Sequence, residues 1–205
     1  MLLRARPRAA VRNRALILLM TALLLVHCSG GDAWGQGARA KRAPEAPAQA
    51  KPMMAREPLP TGVVEMLDGI RAAIKSGRIE DLRPAIAWNE LPPVFAAARI
   101  DDPILFLKQQ SADGEGREML AILAAIIDAG HAVLPVGRDL ENNRLYVWPR
   151  FAEMELDKLS REDEVQLYRL LKPAEVKVMR EKRKWTWYRL AIGADGTWHS
   201  FQKGE

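Results

Sequence analysis

The segment EGREMLAILAAIIDA, roughly 115–129, constrains the fold more than any other part of the chain. Met119, Ile122, Leu123, Ile126 and Ile127 recur at three- and four-residue steps on one face. Leu120 with three alanines leaves little polar surface elsewhere. A helix that is apolar nearly all round is a buried helix. Other elements must therefore surround it, and Gly130 ends it. SADGEG, 111–116, is a polar, glycine-bearing entry loop.

The flanking segments supply those elements. Val63, Val64, Leu67, Ile70 and Ile74 carry a helical period that Ser76 and Gly77 close. A short helical turn follows at 79–85, and NELPP at 89–93 breaks regular structure. Asp102 and Pro103 are a start signal for a helix reaching about Gln110. The aspartate caps free N–H groups, and proline at the first position gives up an N–H that has no partner anyway. The period then changes. Residues 131–136 and 144–148 read as strands joined by a turn over 139–143, with Pro135 placing the first strand at an edge. Ser160 and Asp163 match a capping box before a helix over 161–171, and Pro173 starts another to about Lys182. Residues 185–192 and 197–202 flank Gly-Ala-Asp-Gly as a hairpin with aromatic and β-branched arms. The class expected is α+β: several N-terminal helices packed on a small, mainly antiparallel sheet that ends in a C-terminal hairpin.

The chain of 205 residues is 48% apolar and 28% charged, which suits one globular domain plus extensions. That balance excludes a polytopic membrane protein, a collagen and a fully disordered chain. The formal charge of +5 does not belong to the folded part. Residues 58–205 hold 21 basic and 23 acidic side chains, whereas residues 1–40 hold six arginines and one acid. Five arginines in 4–14 precede ALILLMTALLLV, a twelve-residue apolar run at 15–26. A positive segment before a run of this length is the pattern of a secretory signal peptide. A spanning helix needs about 20 apolar residues, and an organellar transit peptide is amphipathic. The expected organisation is a signal peptide over 1–28, a disordered linker over 29–60 and a single α+β domain over 61–205. The place expected for the mature chain is the periplasm or the exterior. Cleavage fits 33–40, where small-x-small patterns occur. Cys28, directly after the apolar block, offers the alternative of an acylated, membrane-anchored lipoprotein, although His27 suits that motif poorly. With a single cysteine no intramolecular disulfide forms, so burial must hold the domain. A stretch of about this size buries roughly 70% of its unfolded-chain surface.

No motif in the folded part names a reaction. Ser76, Ser111, Ser160 and Ser200 lie in no Gly-x-Ser-x-Gly elbow. His131 and His199 lack neighbouring ligands at metal spacing, so neither a metal nor a cofactor is expected. Asp113 and Glu115, separated by glycine at a helix entry, read either as a cation or acid/base pair or as acids that favour the helix N-terminus. Glu153, Glu155 and Asp157 alternate with apolar residues, as a carboxylate row or a solvated edge. The basic stretch 180–184 before Trp185, Trp187 and Tyr188 has the composition of a single-strand nucleic-acid site, but a net acidic, exported domain argues against nucleic acid. Trp148, Trp187, Tyr188 and Trp198 are core fillers or the lining of an apolar pocket with polar tips. With Asp113 and Glu115 they are the candidate ligand-binding residues, and Cys28 is the candidate lipidation site.

The segments SADGEGREMLAIL (111–123), LYVWPRFAEMELDKLS (145–160) and WYRLAIGADGTWHSF (187–201) resemble a family of uncharacterised exported proteins from alphaproteobacteria. The resemblance spans most of 60–205 and implies export and a shared fold, with no catalytic residue to carry over. His199 and Ser200 stand where that family tends to be aromatic. The early IKSGRIEDL helix followed by late aromatic strands is similar to the cone-shaped α+β fold of nuclear-transport-factor-2-like proteins, from which the helices at 161–182 depart. The expected function is a non-enzymatic envelope module that binds a small molecule or an envelope component and meets the membrane only through its signal or a lipid anchor. The alternatives are a hydrolase of envelope material using carboxylates of 113–118 or 153–157, and a structural accessory docking on a partner protein.

Overall fold

The structure is a computed structural model that describes residues 53–54, 58–136 and 143–204, all within the unit Pro44–Glu205. The signal segment, Cys28 and the turn at 139–143 (apart from Asn143) lie outside the described residues.

Among the described residues six helices and five strands follow one another as β1 (Met53–Met54), α1 (Thr61–Ser76), α2 (Arg83–Ala87), α3 (Pro103–Gln110), α4 (Arg117–Asp128), β2 (Ala132–Pro135), β3 (Arg144–Trp148), α5 (Arg161–Leu170), α6 (Pro173–Lys182), β4 (Tyr188–Gly193) and β5 (Trp198–Lys203). The strands form one antiparallel sheet in chain order, β1 to β5. The fold is α+β, as the change of hydrophobic period indicates. None of the described helices is long and apolar enough to cross a membrane.

Local chemistry sets the helix ends. Asp102 accepts from the N–H groups of Ile104 and Leu105, so α3 starts where its cap stands. The Ser160 hydroxyl accepts from the Asp163 N–H at the start of α5. Gly77, at φ 68°, closes α1 by donating to the carbonyls of Ala73 and Ile74. Gly62 in the first turn of α1 has a different reason. A Cβ there would stand 2.7 Å from the Asp195 carbonyl oxygen, so its absence lets the helix rest on the β4–β5 turn.

The main core lies between α1, α3, α4 and one sheet face. Register decides which side chains enter it. Trp148, Leu190 and Phe201 are lateral neighbours across β3, β4 and β5, and Tyr146, Ile192 and Trp198 form the next row on the same face. Both rows meet Leu67, Ile70, Leu123 and Ile126 from the helices. A second cluster gathers Phe151, Leu156, Leu167, Val176, Met179 and Trp185 around α5 and α6, and Leu170 and Trp187 pack against both clusters.

Several expectations change. In α1 the inward face is Val63, Met66, Leu67, Ile70 and Ala73, while Val64 is partly exposed. The segment read as linker to residue 60 contributes β1, which covers the outer edge of β2 at Ala132 and Val133. Pro135 therefore sits in the second strand of the sheet, beyond the residues that β1 pairs. The hairpin begins at Tyr188, not at residue 185. Trp185 and Trp187, expected within its first strand, precede it and meet edge to face. Residues 150–158 form two 3-10 turns, Arg150–Glu153 and Leu156–Lys158, which removes the extended carboxylate row.

Candidate functional site

A cavity of about 570 Å³ opens between the helices and the end of the β4–β5 hairpin. Its apolar floor is built from distant segments. Phe95 comes from the loop before α3, Phe106 and Leu107 from α3, Met119 from α4, and Tyr188 and Phe201 from paired strands. Tyr188 stacks on Phe201 at 5.4 Å, and Phe95 meets Trp198 edge to face at 5.6 Å. The aromatic floor is thereby fixed by the core beneath it. Trp185 closes one side, its indole N–H donating to the Tyr188 carbonyl at 3.1 Å.

The polar part of the lining is one-signed. Lys184, Arg189 and Lys203 border the cavity, with Gln110 and Gln202 as neutral partners. Among the described lining residues there is no carboxylate, histidine, serine or cysteine. Arg189 alone of the three cations pairs with a carboxylate among the described residues, Glu153 at 3.4 Å. Burial pushes the Glu153 carboxyl up, and the Arg189 charge opposes that rise. Burial also raises the Tyr188 phenol, with the Glu118 charge adding to it, so its hydroxyl stays neutral and able to donate. The arrangement can seat an apolar body and grip an anionic head. Among its described lining residues no serine, cysteine or histidine supplies a nucleophile with an adjacent base.

Of the residues singled out by sequence, Tyr188 lines this cavity. Trp187 stands beside it, 6.0 Å from the Tyr188 ring, and bridges the two core clusters instead. Trp148 and Trp198 are 2% and 1% exposed, because their register turns them toward the helices. Asp113 organises its loop: it accepts from the Ser111 hydroxyl and from the N–H groups of Glu115, Gly116 and Arg117. The Ser111 hydroxyl, first among these donors, holds its carboxyl below the usual range. Glu115 is in the same loop, and neither acid lines the cavity. Glu153 faces Arg189, Glu155 pairs with Lys158 at 2.6 Å, and Asp157 lies 3.9 Å from Arg180. Sequence reasoning missed Trp185, Lys184 and Lys203 as lining residues. The adjacency of Lys184 and Trp185 was the available signal. Among the described residues no three His, Cys, Asp or Glu side chains gather to hold a metal ion. No family model, curated protein or solved structure matches this chain.

Proposed function

We propose that the chain is a non-catalytic binding module that takes a small amphiphilic anion, a medium-length acyl carboxylate being the simplest, in the cavity above Phe201. The observation that carries this reading is the combination of an aromatic floor with a border of Lys184, Arg189 and Lys203 and no acid among the described lining residues. A volume of about 570 Å³ falls in the range of small-ligand sites. The arginine-rich start and apolar run of residues 4–26 support export, which would bring the domain to such ligands in the cell envelope.

Titration of the purified chain with dodecanoate, followed by tryptophan fluorescence and calorimetry, tests the proposal. Saturable binding is expected, weakened about tenfold when Lys184 and Lys203 are both changed to Gln, the loss of roughly one charge-assisted contact. Dodecyltrimethylammonium has the same tail with the opposite charge and should bind far more weakly. Equal affinity for the two amphiphiles would sink the reading. A carboxylate hydrolase has less support, because Glu155 and Asp157, which border a second cavity, each face a cation. The docking-accessory reading rests on Trp88 and Leu91, both strongly exposed in one loop.

A further inference from the structure

Arg183 is the one non-glycine residue with positive φ among the described residues, at φ 49° and ψ 38°. It follows α6 directly. Its N–H donates to the Arg180 carbonyl, and the Lys184 N–H donates to the Met179 carbonyl, each at 3.1 Å. This pair of bonds is the helix-ending motif whose left-handed position glycine normally fills. A Cβ there crowds the backbone, so arginine forgoes stability that glycine would supply. A residue kept in such a conformation is a reason to ask what its side chain does.

Arg183 lines a second cavity, about 460 Å³, between the turns at 151–158 and the end of α6. Four cations border it: Lys158, Arg180, Arg183 and Lys184. Two carboxylates, Glu155 and Asp157, accompany them. Lys158 is held by Glu155, and Arg180 is held by Glu164 at 2.6 Å with Asp157 nearby. Those acids are therefore engaged, while Arg183 and Lys184 have no carboxylate partner among the described residues. Attraction of cations to the helix C-terminus accounts for Arg180 and Lys182 in the last turn, but it does not require arginine at the left-handed position.

We infer that Arg183 and Lys184 form a second anion subsite that takes a phosphate group, free or ester-linked, in this cavity. The planar guanidinium grips two oxygens together and the ammonium adds a mobile point charge. Lys184 and Trp185 line both cavities, so the subsite adjoins the amphiphile cavity and shares Lys184 with it, whereas Arg183 belongs to the second cavity alone.

The test titrates the full chain at low ionic strength with inorganic phosphate and, separately, with glycerol phosphate, and tells the free from the ester-linked group by which binds more tightly. Saturation is expected for the unaltered chain, read by heat and by Trp185 fluorescence. Arg183→Gly should raise the melting temperature by roughly 2 °C and weaken phosphate about tenfold. Arg183→Lys keeps both the charge and the left-handed Cβ and should weaken it about threefold. Failure of the unaltered chain to saturate with either probe overturns the inference, and so does undiminished binding by Arg183→Gly. A lower melting temperature in Arg183→Gly also overturns it, by making Arg183 a structural residue. Lys203→Gln, which alters the first cavity only, keeps phosphate binding, so failure of this inference and failure of the amphiphile reading give different results.

Discussion

Glu153 and Arg189 hold each other beside the amphiphile cavity, and that contact competes with any anion for the guanidinium. Glu153→Gln releases Arg189. Dodecanoate should then bind about threefold more tightly in the same titration, the scale of a partly exposed ion pair. His131 offers a second residue-level test. Its ring lies 5.2 Å from Trp148 and 5.7 Å from Tyr146, and its Nε2 is buried with no hydrogen-bond partner. Burial pulls its pKa below the ordinary value. As pH falls through about 6.5 the unfolded chain takes the proton first. Stability is therefore complete above that pH and declines below it until the native histidine titrates. The urea midpoint should fall between pH 7 and 5, and His131→Phe should flatten the fall. Glu153, raised by burial, titrates with the opposite sign, so the difference between the two proteins isolates the histidine. At this scale sequence reveals residue type better than residue placement. Trp148 and Trp198 were legible as core or pocket, and only the pairing register across β3, β4 and β5 decides for core. Asp113 was legible as a helix-entry acid, which is the part it plays.

Helices with capping chemistry written locally are where reading and structure agree best. Asp102 and Pro103 start α3, and Ser160 starts α5, at the positions their side chains dictate. Asp102→Ala should lower the midpoint of a denaturant titration, because two N–H groups lose their acceptor. Arg83 also donates to that carboxylate at 3.1 Å and, as the leading influence, holds it below the usual range, so the cap persists into mild acid. Strands are harder. β4 begins three residues later than its aromatic content suggests, since the backbone leaves α6 through the left-handed Arg183 and seats Trp185 in the second cluster. Two methionines carry no period at all, and β1 exists because β2 offers them an edge. The cavity has no signature of its own. Its floor draws on residues 95, 106, 107, 119, 188 and 201, which only tertiary packing brings together.

At the scale of the molecule, the charge split between the arginine-rich start and the near-neutral remainder was plain from counting. The outer limits of the sheet were not. Met53 and Met54 lie against one border strand, and Val94 lies against the other, donating to the His199 carbonyl and accepting from the Phe201 N–H at 2.9 Å each. Both rows of backbone groups that a neighbour could zip onto are thus partly blocked. A version shortened to begin at residue 58 uncovers one of them. Sedimentation of that version should show self-association rising with concentration, whereas the longer chain stays single over the same range. A two-residue pairing at the outer edge of β2 would then act as a safety catch, whose loss leaves that edge open to a second copy.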